Sequence, residues 1–133
     1  MSESVTGKIL QPPTLLVVDD HEGMRATLSD ILDDEGFQVF EAANGEEAVA
    51  TVRERQLGLV LMDVRMPVMD GIRALRRIKA IRPELPVIMM TAYSDAVTPG
   101  ELRAQGCEAL VLKPLDLSEV LPLLRRTVLA RSD

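Results

Sequence analysis

Leu59-Val60-Leu61-Met62 runs without a polar break into Asp63. An apolar run of this length has the continuity of a strand buried on both faces, as in a parallel sheet. The same punctuation occurs three more times. Leu15-Leu16-Val17-Val18 runs into Asp19-Asp20, Val87-Ile88-Met89-Met90 into Thr91, and Leu110-Val111-Leu112 into Lys113-Pro114. In an open α/β sheet, ligands bind just beyond the carboxyl ends of the strands. These four ends therefore bring three carboxylates, a hydroxyl and an ammonium to one crevice. Such a set suits a divalent cation and a phosphoryl group.

Between the apolar runs lie helical patterns, and the alternation from Thr14 onward predicts βα units and a parallel sheet. The first helix is expected over 22–35, with Met24, Leu28, Ile31 and Leu32 on one face and Gly36 as its stop. Residues 37–42 read as the second strand. Asn44 and Glu47 form a capping-box-like start for a second helix, whose inner face is Ala48, Val49 and Val52. After Asp63 comes a loop over 64–71 with Pro67 and a turn-forming Asp70-Gly71. A third helix then runs to about Arg82, and strand four starts near Pro86. Thr98-Pro99-Gly100-Glu101 supplies a cap, a proline at the first helical position and a glutamate at the third. The fourth helix should be short, ending near Gly106, with a fifth strand over 109–112. A last helix follows Asp116, and Pro122 requires it either to start late or to bend. Residues 1–13 read as a flexible leader and 14–133 as one domain.

The chain has 133 residues, enough for one domain that buries roughly two-thirds of its unfolded surface. A formal charge of −6 argues against a general nucleic-acid surface. Cys107 is the one cysteine, so neither an intrachain disulfide nor a cysteine zinc site can form, which fits a reducing compartment. No apolar stretch approaches the ~18 residues of a membrane span, and the N-terminus lacks a signal pattern. The expectation is a cytoplasmic protein without a membrane partner.

Asp19-Asp20, then Asp63 followed by Met66-Pro67 and Asp70-Gly71, then Thr91-Ala92, then Lys113-Pro114 form an ordered set. Over about Thr14 to Ala130 the chain resembles the response-regulator receiver domain of two-component signalling. The resemblance implies a flavodoxin-like fold, a doubly wound five-stranded parallel sheet of order 2-1-3-4-5 with helices on both faces. It also implies a phospho-accepting switch rather than a dedicated enzyme. Asp63 would be the phosphoacceptor, taking the group from a phosphohistidine on a sensor histidine kinase or phosphotransfer protein. Asp19, Asp20, Asp63 and the main-chain carbonyl of Arg65 would hold Mg²⁺ or Mn²⁺. Lys113, Thr91 and the backbone of Ala92 would bind the phosphoryl group, and Lys113-Pro114 would be a cis peptide. Thr91 would report phosphorylation to the face built from helix four, strand five and helix five, where a downstream effector or a second copy docks. No direct nucleic-acid partner is implied. One departure stands out: receivers usually carry Tyr or Phe three residues before the lysine, and here that position is Leu110. The short fourth helix is a second. Tyr93 and Arg65 occupy places that in the family tune water access to the acyl phosphate.

Other features carry less. His21 reads as a loop histidine beside the site. Arg73, Arg76, Arg77, Lys79 and Arg82 read as a solvated face, and Met62, Met66, Met69, Met89 and Met90 as core filler. An aspartyl-phosphate phosphatase would carry a second Asp two residues after the nucleophile, where this chain has Arg65. A flavodoxin-like cofactor carrier needs a Ser/Thr/Gly-rich phosphate loop after strand one, and Asp19-Asp20-His21-Glu22 would repel a phosphate. Two alternatives stay open: a receiver module of a longer regulator or hybrid kinase, and a pseudo-receiver scaffold that is not phosphorylated.

Overall fold

A computed structural model describes residues 12–66, 68–92, 95 and 97–131. Most of the expected leader, together with Pro67 and Tyr93, lies outside the described residues. Five strands form one sheet in the order β2-β1-β3-β4-β5, with every pair parallel. They are β1 (Thr14–Val18), β2 (Gln38–Ala42), β3 (Leu59–Asp63), β4 (Val87–Thr91) and β5 (Ala109–Leu112). The helices between and after them are α1 (Glu22–Asp34), α2 (Gly45–Glu54), α3 (Gly71–Ile81), α4 (Pro99–Ala104) and α5 (Leu117–Arg131). Among the described residues no helix is long and apolar enough to cross a membrane.

Side chains alternate across the sheet, and the core divides accordingly. Leu16, Val18, Val60, Met62, Val87 and Met89 pack with Val49, Val52, Leu75, Ile78 and Leu102 of α2, α3 and α4. Leu15, Val17, Leu59, Leu61, Ile88 and Met90 pack with Leu32 of α1 and Val120 and Leu124 of α5. Helices thus cover both faces. The reading of four strands buried on both sides holds for β1, β3 and β4 and fails for β5, whose residues are half-buried and whose Leu112 is 45% exposed. The reason is position: β5 is an edge strand with one neighbour, and α4 on its flank is only six residues long.

Helix starts follow local chemistry. The Asn44 side chain accepts from the Glu47 N–H at 2.9 Å, while Glu47 reaches back to the Ala43 N–H, one residue before the cap. Thr98 and Glu101 complete a reciprocal capping box. Asp70, expected in a turn, instead caps α3 through the Arg73 N–H at 2.9 Å. Each such cap contributes about 1 kcal/mol. Gly71 then begins α3 because a Cβ there would fall on the carbonyl oxygen of Asp63, so only glycine lets the helix sit under the end of β3. Gly36 ends α1 with φ +100°, a left-handed stop. The last helix starts directly after Asp116 and runs through Pro122, so the late-start alternative is overturned. Pro122 is exposed, and the Ser118 carbonyl loses its usual N–H partner.

Candidate functional site

Register carries the polar strand ends to one edge of the sheet. Val18 lies opposite Met62, which sets Asp19 level with Asp63. Asp63 lies opposite Met90, so Thr91 is one residue beyond, and Thr91 opposite Leu112 sets Lys113 one residue further. Alternation sends Asp19, Asp63 and Lys113 to the α1/α5 face. There they meet. Lys113 Nζ donates to Asp63 Oδ2 at 2.5 Å and lies 3.6 Å from Asp19 Oδ2. Asp19 and Asp63 are 3% and 5% exposed, while Asp20 projects into solvent. One oxygen from each of the three carboxylates lies within 4.8 Å of the others.

Each acid is oriented by its own loop. The His21 N–H donates to Asp19 Oδ1 at 2.9 Å, and the Arg65 N–H donates to Asp63 Oδ1 at 3.2 Å. Arg25 donates to the Asp19 carbonyl at 2.8 Å and to Glu41 at 2.9 Å, tying the β1–α1 turn to β2. His21 caps α1, its Nδ1 accepting from the Met24 N–H at 3.1 Å.

The electrostatics are those of crowded acids served by one cation. Burial pushes the Asp63 carboxyl above its ordinary value. Lys113 and the Arg65 N–H pull it down, and the charge of Asp19 pushes it up again. Burial acts to lower the Lys113 ammonium, yet Asp63 and Asp19 outweigh it and hold Lys113 above its ordinary range. Two buried carboxylates thus face one ammonium, with a third carboxylate at the rim. Hard oxygen donors in that number and spacing fit a Mg²⁺-type cation that keeps part of its water shell.

Thr91 and Ala92 stand at the same edge but with another partner. Thr91 Oγ1 donates to Asp95 Oδ2 at 3.0 Å, and the Ala92 N–H donates to the same oxygen at 2.8 Å. Arg65 Nε holds the other oxygen of Asp95 at 3.1 Å. Sequence reasoning did not nominate Asp95. The available signal was an aspartate in the turn four residues after Thr91, a side chain suited to capping free N–H groups. The Lys113–Pro114 bond is cis. Leu110 is half-buried against the α2/α3/α4 core. Beside Asp19 and Lys113, a mainly apolar cleft of about 460 Å³ opens between α1, at Met24, Leu28 and Ile31, and the segment at Pro114, Leu115 and Leu117.

Residues 15–125 match the family described as the response regulator receiver domain. Sporulation initiation phosphotransferase F of Bacillus subtilis (strain 168) is 40% identical over 106 residues, 80% of this chain and 86% of that protein. The transcriptional regulatory protein ZraR of Escherichia coli O157:H7 is 41% identical over 114 residues, 86% of this chain and 26% of the relative. The chain therefore spans most of one relative and about a quarter of the other. Among solved structures, a CheY-like receiver domain protein from Methanospirillum hungatei JF-1 superposes with a TM-score of 0.86 at 25% identity, covering 92% of this chain and 98% of that one.

Proposed function

The chain belongs to the response regulator receiver family, and from that premise we propose that it is a phospho-accepting switch whose acceptor is Asp63. The observation that carries this reading is the placement of Asp63. It is buried between Asp19 and Lys113 at the carboxyl end of β3, with the exposed Asp20 at the rim of the same cluster. Asp19, Asp20, Asp63 and the Arg65 carbonyl would hold Mg²⁺ or Mn²⁺. Bound there, the metal supplies charge neutralisation for the phosphoryl oxygens.

In the proposed step, an Asp63 carboxylate oxygen attacks the phosphorus of a phosphohistidine on a sensor histidine kinase or phosphotransfer protein. The O–P bond forms as the P–N bond breaks, and the electron pair returns to the donor's imidazole. Lys113 passes from the Asp63 carboxylate to a phosphoryl oxygen, keeping the site's charge compensated as the group arrives. The Thr91 hydroxyl and the Ala92 N–H serve another oxygen, and their movement is the signal. A phosphoryl group shifts the equilibrium because it is held better in one arrangement of these donors than in the other. The apolar cleft beside Asp19 supports a protein donor, since it offers contact area next to the reacting carboxylate. Output passes through α4, β5 and α5 to an effector or a second copy. Leu110 in place of an aromatic ring, with a six-residue α4, makes this a face read through backbone and packing. A relative matched over most of its length and another matched over a quarter of its length accommodate both a stand-alone receiver and a module within a longer regulator. A cytoplasmic location belongs to the same proposal.

The test is to incubate the protein with Mg²⁺ and acetyl phosphate and to map the adduct by mass spectrometry. One phosphoryl group is expected on Asp63, with none acquired by Asp63→Asn. An adduct that persists in Asp63→Asn would sink the assignment, and no adduct on the wild-type chain would favour the scaffold reading.

A further inference from the structure

Two of the donors assigned above to the phosphoryl group are already in use. The Thr91 hydroxyl and the Ala92 N–H converge on a single oxygen, Asp95 Oδ2, at 3.0 and 2.8 Å. The Asp95 side chain is 7% exposed, and its second oxygen is held by Arg65, two residues from the acceptor. Its own N–H donates to the Ala92 carbonyl at 3.0 Å. We propose that Asp95 is an internal stand-in for the phosphoryl group, a carboxylate latch that keeps the Thr91 and Ala92 donors engaged until phosphorylation displaces it. This rests on the phosphoacceptor reading of Asp63.

The chemistry of the exchange is matched. A carboxylate and a phosphoryl group are both anions presenting acceptor oxygens to the same donor types. Burial disfavours the charged form of Asp95, yet the Ala92 N–H, the Thr91 hydroxyl and Arg65 together hold its carboxyl below the ordinary range. Two donors on one oxygen and a guanidinium on the other are the partners that a phosphoryl group would also take. Arg65 links the two ends of the device. Its main-chain N–H holds Asp63 and its guanidinium holds Asp95, so a rearrangement at Asp63 bears directly on the latch. A closed latch also lowers apparent affinity for the incoming group, because only the open fraction is competent to bind it.

The experiment titrates beryllium fluoride, a phosphoryl mimic, in saturating Mg²⁺ by calorimetry. The wild-type chain, Asp95→Ala and Asp95→Asn are compared, together with both substitutions in a Thr91→Ala background. Asp95→Ala should bind about three- to thirtyfold tighter, the worth of one to two net hydrogen bonds no longer contested. Asp95→Asn keeps an acceptor oxygen without the charge and should fall between. It also serves if Asp95→Ala does not fold. With Thr91→Ala the gain should shrink, since only the Ala92 donor remains to be freed. Equal or weaker binding by both Asp95 variants, with the wild type binding, overturns the latch alone, because a turn merely held together by Asp95 gives no gain. Absence of binding in every variant overturns the latch and the Asp63 reading together.

Discussion

Asp63 is placed where an ionised carboxylate is uncomfortable. Burial and the charge of Asp19 push its carboxyl above the ordinary 3.8, against the pull of Lys113 and the Arg65 N–H. The sign follows from linkage. A carboxyl raised in the folded state binds its proton more readily folded than unfolded, so stability falls as pH rises from 3.8 through the folded value. Above that window the whole penalty stands. Asp63→Asn removes it, so the stability of the variant relative to wild type should grow with pH across the window and then level off at neutral pH. Urea unfolding at pH steps on both sides of the window measures this. The Lys113 pairing is already contained in this balance, because it acts on Asp63 only while the carboxyl is ionised, and a flat or falling difference would show that Asp63 is not destabilised by its site. That Asp19, Asp63 and Lys113 would meet was legible because they sit at strand ends. Asp95 was not, since an aspartate in a turn is ordinary and its partners depend on the conformation of the loop. Val68 was not either: it holds φ 70° in the loop after Asp63, a left-handed geometry that no propensity assigns to a β-branched residue. Such a backbone conformation costs a non-glycine residue about 1–3 kcal/mol.

At the scale of elements, what local chemistry specifies was readable and what neighbours specify was not. Thr98, Pro99 and Glu101 announce α4, and the helix begins where they place it. The apolar run of β5 looked like that of β3, but burial depends on how many strands flank it, and nothing in residues 110–112 encodes an edge. Asp70-Gly71 carried a turn signal, whereas the need for glycine arises from the Asp63 carbonyl pressed against it. Helix α5 poses the sharpest conflict of this kind. Pro122 is its sixth residue, where it removes one helical hydrogen bond, and the helix continues because Val120 and Leu124 on the same element are buried in the core. Tertiary packing here outweighs an interior proline penalty of up to ~3 kcal/mol. Pro122 is exposed, so Pro122→Ala restores the N–H without disturbing the core, and it should raise stability by about 1–3 kcal/mol. The midpoint of urea unfolding reports it. A variant no more stable than the wild type would mean that the helix has fully absorbed its proline.

At the scale of the molecule, the register of a parallel sheet aligns acids that repel one another, and the fold must carry that repulsion wherever it is not neutralised. Lys113 can face Asp63 and Asp19 but is one charge against two, and Asp20 adds a third carboxylate at the rim of a chain already at net −6. A ligand that binds only the folded chain stabilises it by RT ln(1 + [L]/Kd), about 1.4 kcal/mol at ten times Kd and about 2.7 at a hundred. Mg²⁺ should therefore raise the thermal midpoint relative to the same protein in EDTA, by roughly 3–5 °C per kcal/mol for a domain of this size. A nonspecific response to ionic strength would do likewise, so Asp20→Ala decides. Asp20 is exposed and supports no core packing, so its loss should leave the metal-free midpoint unchanged or slightly higher through reduced repulsion. The Mg²⁺-dependent increment should then fall to a small residue. An Asp20→Ala chain that still gains the full increment would place the cation elsewhere, and a wild-type midpoint indifferent to Mg²⁺ would mean that Lys113 alone satisfies the acids the sheet has brought together.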